Sequence, residues 1–301
     1  MYTKILIPLD GSKTAEKILP YARFLASGLE IPTELLGVID IAEMASHVAA
    51  EKAHYLNGMV EESVRSSFEY LRGVATTFPS GNVKCNVEIG AAAEVVIEKG
   101  EADPAMLIAM ATHGRSGINR WLLGSVAEKI LRGTANALLL VRATDETKTA
   151  GEAALKSVVV PLDESEVAES VLPTVATLAK KLDLEVVLFR AYTLPYSAYG
   201  GGDGYYAIDL NALIAAMKDE AQSYLEKKTA ELKNLGVERI SSIAREGLSA
   251  DQIIKIGRET PESLVAMCSH GRSGVGRWVL GSVAETVVRH GKDPVLVIRA
   301  F

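Results

Sequence analysis

The sequence predicts an α/β protein made of two duplicated, doubly wound domains, each on a five-stranded parallel sheet. Three observations predict it. First, the chain nearly repeats itself: Ile5-Leu6-Ile7-Pro8-Leu9-Asp10 returns as Val158-Val159-Val160-Pro161-Leu162-Asp163, at an offset of 153. Thr112-His113-Gly114-Arg115-Ser116-Gly117 returns as Ser269-His270-Gly271-Arg272-Ser273-Gly274, and Trp121 to Glu128 returns as Trp278 to Glu285, both at an offset of 157. A period this long marks duplicated domains, because solenoid repeats run about 20–50 residues. Second, short apolar runs alternate with longer amphipathic segments in both halves, the pattern of βαβ units. Third, runs such as Ala105-Met106-Leu107-Ile108-Ala109-Met110 are apolar without a break, as in parallel strands covered on both faces.

In the first half the strands are predicted at 3–9, 33–39, 83–88, 105–110 and 137–141, with helices near 13–28, 50–77, 91–101 and 123–132. The second half repeats the order, with strands at 156–162, 184–191, 238–244, 263–268 and 294–299 and helices near 165–182, 208–235, 249–259 and 280–290. Between the halves, Thr144 to Glu152 is polar and carries no core pattern. The expected boundaries are therefore 1–143 for the first domain, 144–155 for a linker and 156–301 for the second domain. The rise in offset from 153 to 157 places four extra residues in the second half, around the Gly/Tyr-rich stretch Tyr196 to Tyr206. That stretch is either a lid beside the sheet's carboxyl edge or a plain connector. Its counterpart, Ile41 to Asn57, looks more helical.

A length of 301 residues gives each domain enough chain for its own core. With 48% hydrophobic and 23% charged residues the composition is that of an ordinary globular protein. A net charge of -6 without a basic run excludes the electrostatic footprint of a nucleic-acid binder. No apolar stretch approaches the ~18 residues of a membrane span. The chain enters a strand-like run at Lys4, so no signal peptide is expected. Cys85 and Cys268 stand alone, giving neither a disulfide framework nor metal-ligand spacing. The expectation is a cytoplasmic protein with reduced thiols.

The chemistry gathers at two places in each half. Ser125-x-x-Glu128 and Ser282-x-x-Glu285 fit a capping box at the start of the last helix. The same helix start, preceded by Gly124 or Gly281, also suits an anion: free N–H groups and the macrodipole favour negative charge, and glycine lets the backbone come close. The second place is Pro8-Leu9-Asp10 and Pro161-Leu162-Asp163, where each Asp ends the first strand. In a doubly wound sheet the ligand crevice opens outside the carboxyl ends where the strand order reverses. If strands 1 and 4 are neighbours there, Asp10 faces the glycine block and can accept from an exocyclic amine or hydroxyl. Alternatively each Asp caps the following helix. Neither a Gly-x-x-x-x-Gly-Lys-(Ser/Thr) loop nor Gly-x-Gly-x-x-Gly after strand 1 is present.

The Pro-Leu-Asp-(Gly/Glu)-Ser opening, the (Thr/Ser)-His-Gly-Arg-Ser-Gly block and the Leu-Gly-Ser-Val-Ala-Glu helix start, found in order in both halves, resemble the universal stress protein family. The chain thus resembles a tandem universal stress protein. The resemblance implies an adenine nucleotide alpha hydrolase-like fold, with sheet order 3-2-1-4-5 and helices on both faces, duplicated. It also implies pairing through strand 5. One branch of the family binds ATP through Gly-x-x-Gly, nine residues, then Gly-(Ser/Thr). Carried over, the later glycines are Gly114 and Gly124 with Ser125 and Val126, and Gly271 and Gly281 with Ser282 and Val283. The first glycine is absent: Ala111 and Cys268 stand there, where the added side chain would narrow the ribose pocket, Cys268 more than Ala111.

The resemblance assigns adenine packing to Val38 and, less strongly, Ala191, and the first half is the better nucleotide site. Arg115 and Arg272 either pair with phosphates or stay solvated. His113 and His270 tempt an acid–base reading, but no second catalytic group accompanies them at fixed spacing. The cofactor implied is ATP, or AMP or ADP, with Mg accompanying the phosphates. Strand 5 is too apolar for an open edge, so residues 137–141 and 294–299 are expected to pair within the chain, with a homodimer as a further expectation. Three functions are compatible with these residues: a non-catalytic stress-response module that binds adenine nucleotide, a scaffold that has lost the ligand, and a slow nucleotide hydrolase.

Overall fold

The computed structural model describes residues 1–46, 56–79, 81–112, 123–143, 151–194, 210–269 and 280–299. By internal contacts the chain divides into two units, the first spanning Met1–Ala154 and taking in Pro294–Arg299, the second comprising Leu155–Val275 and Gly281–Asp293.

The first unit's strands are β1 (Ile5–Pro8), β2 (Thr33–Ile39), β3 (Val83–Ile89), β4 (Leu107–Ala111) and β5 (Leu138–Val141). They lie in the order β3-β2-β1-β4-β5 and pair in parallel. A short 3-10 turn (Ala15–Ile18), α1 (Leu19–Leu29), α2 (Ile41–Ser46), α3 (Leu56–Ala75), α4 (Ala92–Ala102) and α5 (Ser125–Gly133) connect them. The central strand is the driest part: Ile5, Leu6 and Ile7 have no exposure. Both faces of a parallel sheet are covered, so alternate residues of β1 are equally apolar. Each such side chain contributes about 1.5–3 kcal/mol by leaving water.

The second unit repeats the plan with β6 (Ser157–Pro161), β7 (Glu185–Tyr192), β8 (Ile240–Glu246) and β9 (Ser263–Cys268), ordered β9-β6-β7-β8 and parallel. Its helices are α6 (Glu166–Glu169), α7 (Leu172–Leu182), α8 (Leu210–Asn234), α9 (Ser249–Glu259) and α10 (Ser282–His290). The last strand, β10 (Val295–Ile298), is counted with the first unit and runs antiparallel to β5, with Val295 opposite Leu140 and Val297 opposite Leu138. It lies beside the apolar edge that the sequence flags.

Two expected helices need correction. The helices expected at 13–28 and 165–182 are each broken. Pro20 and Pro173 fall in the first turn of α1 and α7, where their missing N–H costs nothing. That missing donor stops the preceding turn from running on, so Ala15–Ile18 closes as 3-10 and α6 ends at Glu169. The linker, expected from 144 to 155, is in part packed structure. Arg23 of α1 donates to Gly151 O at 2.7 Å and Ala153 N–H donates to Pro20 O at 3.0 Å, while Leu155 is buried. The residues 47–55, 144–150 and 195–209, including the lid-or-connector stretch Tyr196 to Tyr206, lie outside the described residues.

Two features of β2 have no counterpart in β7. Glu34 is buried, yet accepts from Lys4 at 2.8 Å, Asn86 at 2.7 Å and Lys99 at 3.0 Å. Burial alone would raise its pKa, but these three donors outweigh it and hold the carboxyl at about 2. Gly37 faces α3, where a Cβ would collide with Ser67 Oγ. Only glycine allows that approach, whereas the repeat position in β7 carries Arg190.

Candidate functional site

The neck of the glycine loop is the first fixed point. Gly124 N–H donates to Thr112 O at 2.8 Å, and Gly281 N–H donates to Ser269 O at the same distance. Each bond returns the chain to the carboxyl end of the fourth strand and sets the start of α5 or α10 there. Strand β1 pairs with β4 (Leu6 opposite Ile108), and β6 with β9 (Val159 opposite Val265). Because β2 lies on one side of β1 and β4 on the other, the order reverses at this point, the place where doubly wound sheets take ligands.

The capping box is not the motif that forms. The N-caps are Gly124 and Gly281, both extended (φ -60 and -61, ψ 146 and 148), and neither helix start takes a side-chain cap. Ser125 and Ser282 are the first helical residues and cannot act as caps. Glu128 pairs with Arg132 at 3.1 Å and Glu285 with Arg289 at 2.8 Å, one turn down the helix. The glycine carbonyls accept the first helical bonds, from Glu128 N–H at 2.8 Å and Glu285 N–H at 2.9 Å. Gly124 and Gly281 are half-buried, and Ser125, Val126, Ser282 and Val283 are exposed. An α-helix leaves its first N–H groups without intrahelical partners, so both starts present donors and the positive end of the dipole toward the crevice.

On the facing edge, Pro8-Leu9-Asp10 and Pro161-Leu162-Asp163 close β1 and β6, with Leu9 and Leu162 buried. Asp10 Oδ1 accepts from Ser12 N–H at 2.9 Å, and Asp163 Oδ1 accepts from Ser165 N–H at 3.1 Å and Ser165 Oγ at 2.6 Å. The serines in turn cap the next helical turn: Ser12 Oγ accepts from Ala15 N–H and Ser165 Oγ from Ala168 N–H, both at 3.1 Å. Each Asp therefore holds a cap instead of being one. Sequence reasoning missed the serines, although they stand in both copies of the Pro-Leu-Asp-x-Ser run.

Val38 lies half-buried and Ala191 buried, each one residue before the end of its strand. Ala111 ends β4 and is buried. Cys268 ends β9, only 4% exposed, with Sγ 3.8 Å from Ser170 Oγ just past α6. Its extra bulk is thus taken up under α6. His113, Gly114 and Arg115, with Gly271 and Arg272, lie outside the described residues, as do His270 and both tryptophans.

The two units differ at the β1–β2 and β6–β7 end. Gly11 and Glu164 both hold left-handed backbone (φ 80 and 70). For glycine this is free, whereas for Glu164 it costs about 1–2 kcal/mol. The Glu164 carboxylate pairs with Arg190 at 3.1 Å. Beside them Glu169 accepts from Tyr224 Oη and Lys228 Nζ, both at 2.8 Å. Burial and that carboxylate push the Tyr224 hydroxyl far up. Burial works against the Lys228 charge, but Glu169 and Glu231 outweigh it and raise its pKa. Arg190 was missed in the sequence. The signal was there, since an arginine breaks the apolar run of a buried strand where the other repeat has glycine.

Fold and site together define a duplicated α/β protein in which an uncapped helix start meets the switch point of each sheet. Comparison with known proteins names the class. The model of the universal stress protein family matches residues 1–142 and again 154–299, and the chain belongs to that family. A universal stress protein of Methanocaldococcus jannaschii is 30% identical over 149 residues, 50% of this chain and 85% of that protein. A second from the same organism is 30% identical over 89 residues, 30% of this chain and 54% of that protein. Among solved structures, a universal stress protein from Archaeoglobus fulgidus superposes with a TM-score of 0.65 over 99% of both chains at 21% identity, a likeness of fold.

Proposed function

We propose that the chain is a regulatory module of the stress response that binds ATP or a related adenine nucleotide without turning it over. The observation that supports this most is the pair of helix starts at Gly124 and Gly281. Both lack a side-chain cap and both are tied by a 2.8 Å bond to the carboxyl end of the neighbouring strand. Backbone donors so placed fit the phosphates of a nucleotide. Asp10, Val38 and the β1 end then lie on the base side. Among the described residues no group of three His, Cys, Asp or Glu side chains gathers, so Mg would come with the phosphates, as is usual for that ion.

The linker packing on α1 and the antiparallel β5–β10 pair support a second part of the proposal: the two domains, 1–143 and 156–301, act as one pseudo-dimer. Among the described residues no helix is long and apolar enough to cross a membrane. Equilibrium binding of labelled ATP to the purified chain tests the proposal. Saturable binding below millimolar nucleotide, weakened at least tenfold by Gly124→Val, is expected. No saturable binding at millimolar nucleotide overturns it.

A further inference from the structure

We infer that Arg190 stoppers the base-reading edge of the second crevice, so that the chain takes one adenine nucleotide, in the first unit. This rests on the proposed function and concerns which crevice fills. Along a strand, backbone groups alternate sides with a period of two. Near the carboxyl end of β1, Leu9 N–H donates to Leu36 O at 2.9 Å. The next carbonyl on that side is Val38's, and the chain beyond Leu9 has by then turned at Asp10 toward Ser12. Val38 O therefore stands one step past the ladder, an acceptor at the rim of the crevice beside two glycines, Gly11 and Gly37. A carbonyl so placed is the acceptor an exocyclic amine needs.

In the second unit the same ladder bond runs from Leu162 N–H to Phe189 O at 2.9 Å, which makes Ala191 O the equivalent acceptor. It is already taken: Arg190 Nη1 donates to it at 2.8 Å. The guanidinium is fixed there by Glu164 Oε1, which accepts from Nε and Nη2, each at 3.1 Å, and the arginine side chain is 13% exposed. A guanidinium has donors only, so a base amine arriving at this edge meets another donor, lying over the carbonyl that would receive it. Arg190 and Glu164 stand where the first repeat has Gly37 and Gly11, so the stopper belongs to one repeat only. Cys268, the residue that sequence reasoning holds responsible for a weaker second site, is turned to Ser170 and does not decide the matter.

Isothermal titration of the full chain with ATP tests this. One nucleotide per chain is expected for the wild type, none for Gly124→Val, and one for Gly281→Val and for Cys268→Gly. The pair Arg190→Ala with Glu164→Gly, which gives the second unit the open rim of the first, is expected to raise the number to two. Adding Gly281→Val to that pair returns it to one. Two equal sites in the wild type, or loss of the wild-type site by Gly281→Val with Gly124→Val harmless, overturns the inference while leaving the proposed function standing. Both of these readings use the unmodified rim, so they hold even where the double variant folds poorly. A folded double variant that still takes one nucleotide also overturns it. No heat from any variant or from the wild type removes the proposed function and this inference together.

Discussion

Asp293→Asn is expected to stabilise the protein, because the first repeat already contains the better version of that position. Asn136 donates from Nδ2 to Asp103 O at 2.8 Å and to Met106 O at 3.0 Å, and its Oδ1 accepts from Thr134 Oγ1 at 2.9 Å. It packs on Gly100, where a Cβ would collide with Oδ1. At the offset of 157, Asp293 packs on Gly257 in the same way, with a Cβ 2.5 Å from Oδ2. The repeat puts the carbonyls of Thr260 and Ser263 at the positions of Asp103 and Met106, and a carboxylate has no proton to give to a carbonyl. Burial raises the Asp293 pKa above its ordinary 3.8, against the pull of its own backbone N–H and of Arg258 and Lys292.

An amide at 293 supplies two N–H···O bonds at about 1 kcal/mol net each. The gain is about 1–2 kcal/mol, or about 3–6 °C in melting temperature for a unit of this size. Calorimetry of the full chain reads it. The sign with pH comes from linkage. A raised folded pKa gives stability that is complete below 3.8 and lost as pH rises through the folded value. The advantage of the asparagine is therefore larger at pH 7 than at pH 4. An unchanged or lower melting temperature at pH 7 refutes the reasoning.

Further outcomes can be checked in the same way. Glu34→Ala leaves Lys4 and Lys99 without their buried partner and is expected to cost about 3 kcal/mol in denaturant unfolding at pH 7. Because the Glu34 pKa is lowered from 4.5 to about 2, the wild type should lose this stabilisation as pH falls from 4.5 through 2, while the alanine variant shows a flatter acid limb. Gly37→Ala is expected to cost about 1–3 kcal/mol through the contact with Ser67 Oγ, and Gly37→Ala/Ser67→Ala to recover most of it. Arg23→Ala removes the donor to Gly151 O and two bonds to Thr77 Oγ1, at 3.1 and 2.8 Å. Hydrogen exchange at Ala153 N–H, which bonds Pro20 O, should then quicken at least tenfold.

Much of the fold was legible because burial writes itself into strands: the unbroken apolar runs at 105–110 and 158–160 became β4 and β6, and the repeat fixed the second unit from the first. Helix ends were less legible. Ser125-x-x-Glu128 looks like a capping box in one dimension, yet Gly124 takes the cap position because its N–H is bound to Thr112 O, a contact beyond the pattern's reach. The breaks before Pro20 and Pro173 were readable from proline chemistry and were passed over. The crevice edges at Asp10 and Gly124 came from strand order. Arg190 did not, since its meaning depends on a carbonyl left over at the end of a ladder, which only register reveals.

The account stands on backbone amides at the α5 start receiving phosphate. Amide-resolved NMR of the full chain, titrated with ATP and separately with adenosine, tests it most directly. The account predicts that the Ser125, Val126 and Ala127 amides move with ATP and hardly with adenosine, while residues around Val38 move with both. ATP that shifts Val38 and leaves those three amides in place contradicts it.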